Sequence, residues 1–254
     1  MHYTAAAETD IGIVKSINQD SLLIRQASYA GGEVLLAVVC DGMGGLAKGE
    51  LASATVIRAF SRWFETELPL ELARPDLSVI GAKWANLLKE QNHKILEYSK
   101  ANGGDKMGTT FSGLLLLGDA YLFAHVGDSR IYQIGSAVVQ MTEDHSFVAR
   151  EVRRGAMTPE EARTHKRRNQ LLQCVGAMEY VDPQVQVGRA VRGVYMLCSD
   201  GFRHEISEQE MLEALNPAGL PDKNVMHDSA RRLIELVKRR GERDNISVIL
   251  IKAE

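Results

Sequence analysis

Residues 37–45 read AVVCDGMGG, and the fold turns on how that stretch is taken. The apolar run from Val34 to Cys40 has the length of one buried strand. Asp41-Gly42, followed by Gly44 and Gly45, ends it in a tight turn. A carboxylate is therefore delivered at the tip of a rigid element. Gly42 lacks a Cβ, so its carbonyl can be approached closely, which suits a hard cation held by oxygen atoms. An Asp-Gly pair is also a common turn signal, and one such tip alone reads first as structure.

Working outward, the same pattern recurs. LLAVVCDG (35–42) is echoed by VYMLCSDG (194–201), and AHVGDSR (124–130) is a related Gly-Asp turn after a third apolar run. Asp244 stands just before the last strand. Strand ends on one edge of a layered sheet domain can converge. Carboxylates brought together repel one another, and a divalent ion relieves the repulsion. Carboxylates, a backbone carbonyl and waters suit Mg²⁺ or Mn²⁺. Two such ions sharing Asp41 would lower the pKa of a bridging water and aim it at phosphorus. The segment TDIGIVKSINQDS (9–21) adds Lys15, a cation to offset phosphate charge, and Asp20 five residues on.

The remaining pattern is mixed. Strands are expected at 2–9, 20–26, 109–117, 120–126, 130–134, 137–141, 184–189, 194–199 and 246–252, with hairpins across the short gaps at Gly118-Asp119, Gly127-Asp128 and Gly135-Ser136. Apolar residues at three- and four-residue spacing predict helices from Gly49 to Leu68, ended by Pro69, and over 76–99, 207–215 and 222–240. Residues 147–172, FVAREVRRGAMTPEEARTHKRRNQLL, have few core positions and carry Arg150, Arg153, Arg154, Arg163, Lys166, Arg167 and Arg168. Two short helices on a surface excursion are expected there, one opened by Thr158-Pro159. Strands grouped around helix pairs favour an α+β layered domain over a doubly wound sheet.

Composition sets bounds. The 254 residues are 45% hydrophobic and 25% charged, which is ordinary for a globular chain. A net charge of -3 speaks against nucleic acid as a partner. Cys40, Cys174 and Cys198 make no metal-binding spacing and read as buried apolar residues in a reducing compartment. The start MHYTAAAETD has no basic, apolar leader pattern, and no run is long enough to span a bilayer. A cytoplasmic location without membrane insertion is expected.

The blocks TDIGIVKSINQD (9–20), CDGMGGLAKGELAS (40–53), MGTT (107–110), HVGDSRIY (125–132), TEDHS (142–146), CSDGF (198–202) and RDNISV (243–248) together resemble the bacterial metal-dependent protein serine/threonine phosphatases of the type 2C class. They stand in the family's order and span nearly the whole chain. The resemblance implies a four-layer α-β-β-α sandwich with two central antiparallel sheets, and one catalytic domain over 1–254 with a flap at about 146–168. It implies hydrolysis of phosphoserine and phosphothreonine by a hydroxide bridging two Mn²⁺ or Mg²⁺ ions, attacking in line. Asp41 would bridge the ions, the Gly42 carbonyl would bind the second, and Asp200 and Asp244 would complete the first. Asp20 would act through a metal-bound water, and Asp128 with Asp200 would take a third, looser ion. Phosphorylated proteins and a cognate Ser/Thr kinase are the implied partners of a monomer.

Three positions depart from the family pattern. Lys15 replaces the usual phosphate-binding arginine, keeping the charge but losing the planar fork. Met43 stands where animal members carry a histidine, and Leu46 where bacterial relatives often do. His125 and His145 read as structural, His145 as a cap at the flap entry. Thr109 and Thr110 either line the site or simply reflect strand propensity. Two rival readings are a catalytically weak phosphoprotein-binding module and a hydrolase of small phosphoesters. The complete carboxylate set argues against the first, and the basic flap against the second.

Overall fold

A computed structural model describes residues 1–44 and 48–254. Strand β3 (Gly32–Cys40) shows why the sequence layers as it does. Its residues from Val34 to Cys40 are all buried, and they alternate between two cores. Val34, Leu36, Val38 and Cys40 face helices, whereas Leu35, Ala37 and Val39 face a second sheet. A continuous apolar run is what a strand covered on both faces requires.

That strand lies in a five-stranded antiparallel sheet ordered β10 (Gln184–Arg189), β7 (Ala120–Val126), β6 (Phe111–Leu117), β3 and β2 (Ser21–Tyr29). The opposing sheet is ordered β1 (Tyr3–Asp10), β12 (Ile246–Ala253), β11 (Gly193–Cys198), β8 (Arg130–Ile134) and β9 (Val138–Gln140). In β12, Ile249 and Ile251 enter the core between the sheets, while Ile246, Val248 and Leu250 face outward to the second helical layer.

Helices α1 (Gly49–Thr66) and α3 (Leu77–Ala101) cover the first sheet with Phe60, Trp63, Ile80, Trp84 and Leu88. Asp76 caps α3 by accepting from the Ser78 and Val79 amides. Between them, Pro69 opens the short α2 (Leu68–Glu71), so the predicted stop at Pro69 is a helix break followed by a new first turn. On the other sheet, α7 (Glu208–Leu215) and α8 (Lys223–Arg239) pack Met211, Leu215, Met226, Ala230 and Val237. The result is the expected α-β-β-α order of layers.

Three departures from expectation shape the site. First, Gly118-Asp119 and Gly135-Ser136 close hairpins, but Gly127-Asp128 does not. Strand β7 belongs to one sheet and β8 to the other, so this turn crosses between sheets and sets Asp128 at their shared edge. Second, Gly42–Gly44 forms a short strand, β4, paired with β5 (Met107–Thr109), rather than a plain turn. Third, Asp200 opens a one-turn helix, α6 (Asp200–Arg203), rather than a loop. The basic excursion holds α4 (Phe147–Arg153) and α5 (Pro159–Thr164), neither with a buried residue. Thr158 and Glu161 form a reciprocal cap on α5. Ser146, not His145, caps α4. Leu46 lies outside the described residues.

Candidate active site

Antiparallel register brings the acids together. Ser21 pairs with Cys40, which sets Asp20 beside Asp41. Cys198 pairs with Val248, which sets the start of α6 beside the approach to β12, where Asp244 lies. The Asp41 peptide is braced: its amide donates to Thr110 Oγ1 at 2.9 Å, and its carbonyl accepts from the Thr110 amide at 2.8 Å and from Thr109 Oγ1 at 3.0 Å. Thr109 and Thr110 thus hold Asp41 in place. Gly42 donates its amide to the Gln19 carbonyl at 3.1 Å. A Cβ at Gly42 would strike the carbonyl oxygens of Gln19 and Gly49, so only glycine fits.

The Lys15 loop is fastened from the far end of the chain. Asn245 donates to the carbonyls of Ile11 at 2.9 Å and Ile17 at 3.1 Å, and its Oδ1 accepts from the Gln19 amide at 2.9 Å. Gly12, at φ 79°, lies against the Asp244 carbonyl, where a side chain has no room. Lys15 Nζ sits 2.7 Å from Asp244 Oδ1.

Electrostatics identify one cluster. Burial and the charges of Asp20, Asp200, Asp128 and Asp244 push the Asp41 carboxyl well above the carboxylate range. Burial raises Asp20; the Ser247 and Ser199 hydroxyls oppose the rise, Asp200 and Asp244 add to it, and the result is about 7. Neither hydroxyl is in hydrogen-bonding geometry with Asp20, whose two carboxylate oxygens are shut off from solvent without a partner among the described residues. Asp200 Oδ1 is likewise unpartnered there. Burial works against the charge on Lys15, but Asp244, Asp41 and Asp200 outweigh it and raise its pKa. Among the described residues, Asp20, Asp41, Asp200 and Asp244 therefore face one nearby ammonium, Lys15, with the His204 imidazole 3.8 Å from Asp200. Such an imbalance fits a pair of divalent cations.

Among the described residues, no three His, Cys, Asp or Glu side chains already close around one point. That accords with oxygen-rich sites in which carbonyls and waters complete the coordination, and with Lys15 engaging Asp244 here. A surface cavity of about 280 Å³, lined in part by Tyr121, Gln186 and Tyr195, adjoins the opposite end of β7 from Asp128 and holds no such cluster.

Asp128 behaves differently. Burial and Asp200 raise its pKa to about 7, while Arg203 pulls it down. Arg203 Nη2 donates to the Asp128 carbonyl at 3.0 Å and lies 3.7 Å from its carboxylate and 3.5 Å from Asp144. Asp144 is gripped by Arg130 through two 2.8 Å bonds. His125 is fully buried, with Nδ1 2.9 Å from Ser112 Oγ and Nε2 3.0 Å from the Gly127 carbonyl; burial holds its pKa down at about 3. It is structural, as expected. His145 Nδ1 accepts from the Gly127 amide at 3.3 Å, tying the flap entry to the Asp128 turn.

Sequence reasoning passed over Asn245, Arg203 and His204. His204 lies 3.8 Å from Asp200 and 3.4 Å from Glu242, and the i,i+4 spacing from Asp200 would have flagged it had α6 been recognised as a helix. Met43 offers no proton; its sulfur is 3.4 Å from the Cys174 thiol.

The sequence profile of protein phosphatase 2C matches residues 13–247. The serine/threonine protein phosphatase PstP of Mycobacterium tuberculosis is 36% identical over 248 residues, 96% of this chain and 44% of that protein. The chain thus spans less than half the length of that curated relative. The serine/threonine phosphatase Stp1 from Staphylococcus aureus superposes with a TM-score of 0.86 at 31% identity, over 100% of this chain and 96% of the other. The catalytic domain of PstP in complex with two manganese ions superposes at 0.79 and 33% identity, over 98% and 97%. With those blocks, that layering and that convergence of acids, the chain belongs to the protein phosphatase 2C family.

Proposed function

We propose that this chain is a metal-dependent protein phosphatase acting on phosphoserine and phosphothreonine. The observation that carries the reading is the charge imbalance at the sheet edge: Asp20, Asp41, Asp200 and Asp244 against Lys15. Asp41, the Gly42 carbonyl, Asp200 and Asp244 would hold two Mn²⁺ or Mg²⁺ ions, and Asp20 would act on them through water. The orphaned oxygens of Asp20 and Asp200 are the groups such ions satisfy. Bound there, the ions would supply a nucleophile from water at neutral pH and withdraw charge from the phosphoryl group.

The chain's own residues do the rest. Thr109, Thr110 and Gly42 fix Asp41. Asn245 holds the loop that carries Lys15. Lys15, on that loop beside Asp244, would neutralise the substrate phosphate. The flap, about 146–168, is rooted at the site: the His145 amide donates to Gly127, and Val175, just beyond the flap, bridges to Thr109. Its arginines suit an acidic, extended phosphoprotein segment better than a small phosphoester. A Ser/Thr kinase is the implied source of the substrate. We take residues 1–254 as one catalytic domain, monomeric and cytoplasmic; three buried free cysteines accord with a reducing compartment, and among the described residues no helix is long and apolar enough to cross a membrane.

The test is phosphate release from a phosphothreonyl peptide. Activity is expected with Mn²⁺, absent in chelator, and lower by about 100-fold or more in Asp200→Asn, in line with the loss of a preorganised charge. Activity persisting in chelator overturns the reading. Peptide binding without turnover supports the binding-module alternative.

A further inference from the structure

We infer that Arg203 is the resident cation of the Asp128 pocket, so that this chain takes no third metal ion there. The inference rests on the two-ion reading above and departs from what the family resemblance implies for Asp128.

Two neighbouring groups of acids are balanced in opposite ways. Among the described residues, Asp20, Asp41, Asp200 and Asp244 have one ammonium between them, Lys15, 40% exposed on a long stem. Asp128 and Asp144 have two guanidinium groups. Arg130 closes on Asp144 with both of its parallel bonds and reaches Tyr132 Oη at 2.9 Å. Arg203 stands between the two carboxylates, 3.7 Å from Asp128 and 3.5 Å from Asp144, with its side chain 11% exposed. Two guanidinium groups match the charges of Asp128 and Asp144 without any ion, and Asp200, which also faces Asp128, is counted with the first group.

Arg203 is also fixed. Its Nη2 is bonded to the Asp128 backbone carbonyl, and α6 carries it on the same turn as Asp200. Guanidinium is weakly hydrated and always charged, so it tolerates this burial. A divalent ion beside Asp128 would have to displace it or share the pocket with a like charge. The buried Nε of Arg203 has no partner among the described residues, a cost accepted where the head group is held by charge. Asp128 is therefore a positioning residue: its backbone carbonyl, which an Asp128→Asn change keeps, holds Arg203 and with it α6 and Asp200 against the turn between β7 and β8. Through Asp144 the same arginine reaches the flap entry.

The experiment counts ions by equilibrium dialysis against Mn²⁺ in wild type, Asp128→Asn and Arg203→Met, with circular dichroism to verify folding. Wild type and Asp128→Asn are each expected to hold two ions with dissociation constants within about twofold of one another, and Arg203→Met to gain a third, weaker one. A third ion in wild type that Asp128→Asn loses overturns the inference. So does a folded Arg203→Met that still holds two. If Arg203→Met does not fold, the wild-type and Asp128→Asn counts decide. A wild type holding fewer than two ions overturns the underlying two-ion reading instead.

Discussion

Lys15 and Asp244 form the ion pair on which the site's chemistry is poised. Both side chains are 40% exposed, so the 2.7 Å contact adds little to stability; exposed pairs contribute about 0–1 kcal/mol. In the function proposed above, the pair matters because Lys15 would be the cation that meets the substrate phosphate. Lys15→Ala is expected to leave the melting temperature nearly unchanged and to raise KM for a phosphothreonyl peptide roughly tenfold or more, the value of a charge-assisted hydrogen bond at about 1.5–3 kcal/mol. Lys15→Arg is expected to keep or improve KM, because the planar fork engages two oxygens. An unchanged KM in the alanine variant removes Lys15 from the site. Asp41 and Asp200 were legible in the sequence because an apolar run ending in Asp-Gly is a local signal. Arg203 and Asn245 were not, because their partners lie 75 and 226 or more residues away and only the crossing of sheets brings them close.

At the scale of elements, the turn at Gly127-Asp128 is the informative error. Short gaps between strands predict hairpins, and two of the three gaps obey. The third carries the chain from one sheet to the other, a choice made by tertiary packing rather than by turn residues. The β4–β5 ribbon and α6 are too short for periodicity to reveal. The flap was legible for the opposite reason: a lack of core residues and an excess of arginine survive in composition alone. Its role divides two substrate classes. Replacing Arg163, Lys166, Arg167 and Arg168 by serine is expected to raise KM for a phosphopeptide with acidic flanks about tenfold while leaving KM for p-nitrophenyl phosphate within about twofold. Equal effects on both substrates would return the flap to surface decoration.

At the scale of the molecule, three packed layers of side chains carry a site that is itself unfavourable. The aromatic group of Phe60, Trp63, Trp84 and Phe111 anchors the helical layer on the first sheet, with Trp84 edge-on to Phe60 at 5.2 Å and to Trp63 at 5.3 Å. Trp84→Ala is expected to cost about 3–5 kcal/mol by denaturant titration, since Trp84 is fully buried between the helices and the first sheet, where the cavity cannot fully collapse. The acidic edge works against that packing. Asp20 titrates at about 7 in the fold against an ordinary value of 3.8, and Asp41 is raised as well. Between those values the metal-free native state binds more protons than the unfolded chain. Its stability from these groups is therefore full below about pH 4 and lost as pH rises toward 7.

Divalent ions held by the ionised carboxylates, as proposed above, would reverse that penalty and tie metal affinity to pH. Thermal unfolding of the chelator-treated protein with and without Mn²⁺, at pH 5 and pH 8, reads this directly. At pH 8 and a hundredfold excess over each dissociation constant, Mn²⁺ is expected to add about 2.7 kcal/mol for each ion held, or roughly 5–10 °C apiece. At pH 5 and the same Mn²⁺ concentration the gain should fall below half of that, and Asp41→Asn should abolish it at both. A melting temperature indifferent to Mn²⁺ at pH 8, or raised equally in Asp41→Asn, contradicts the assignment of this acidic edge as the metal centre.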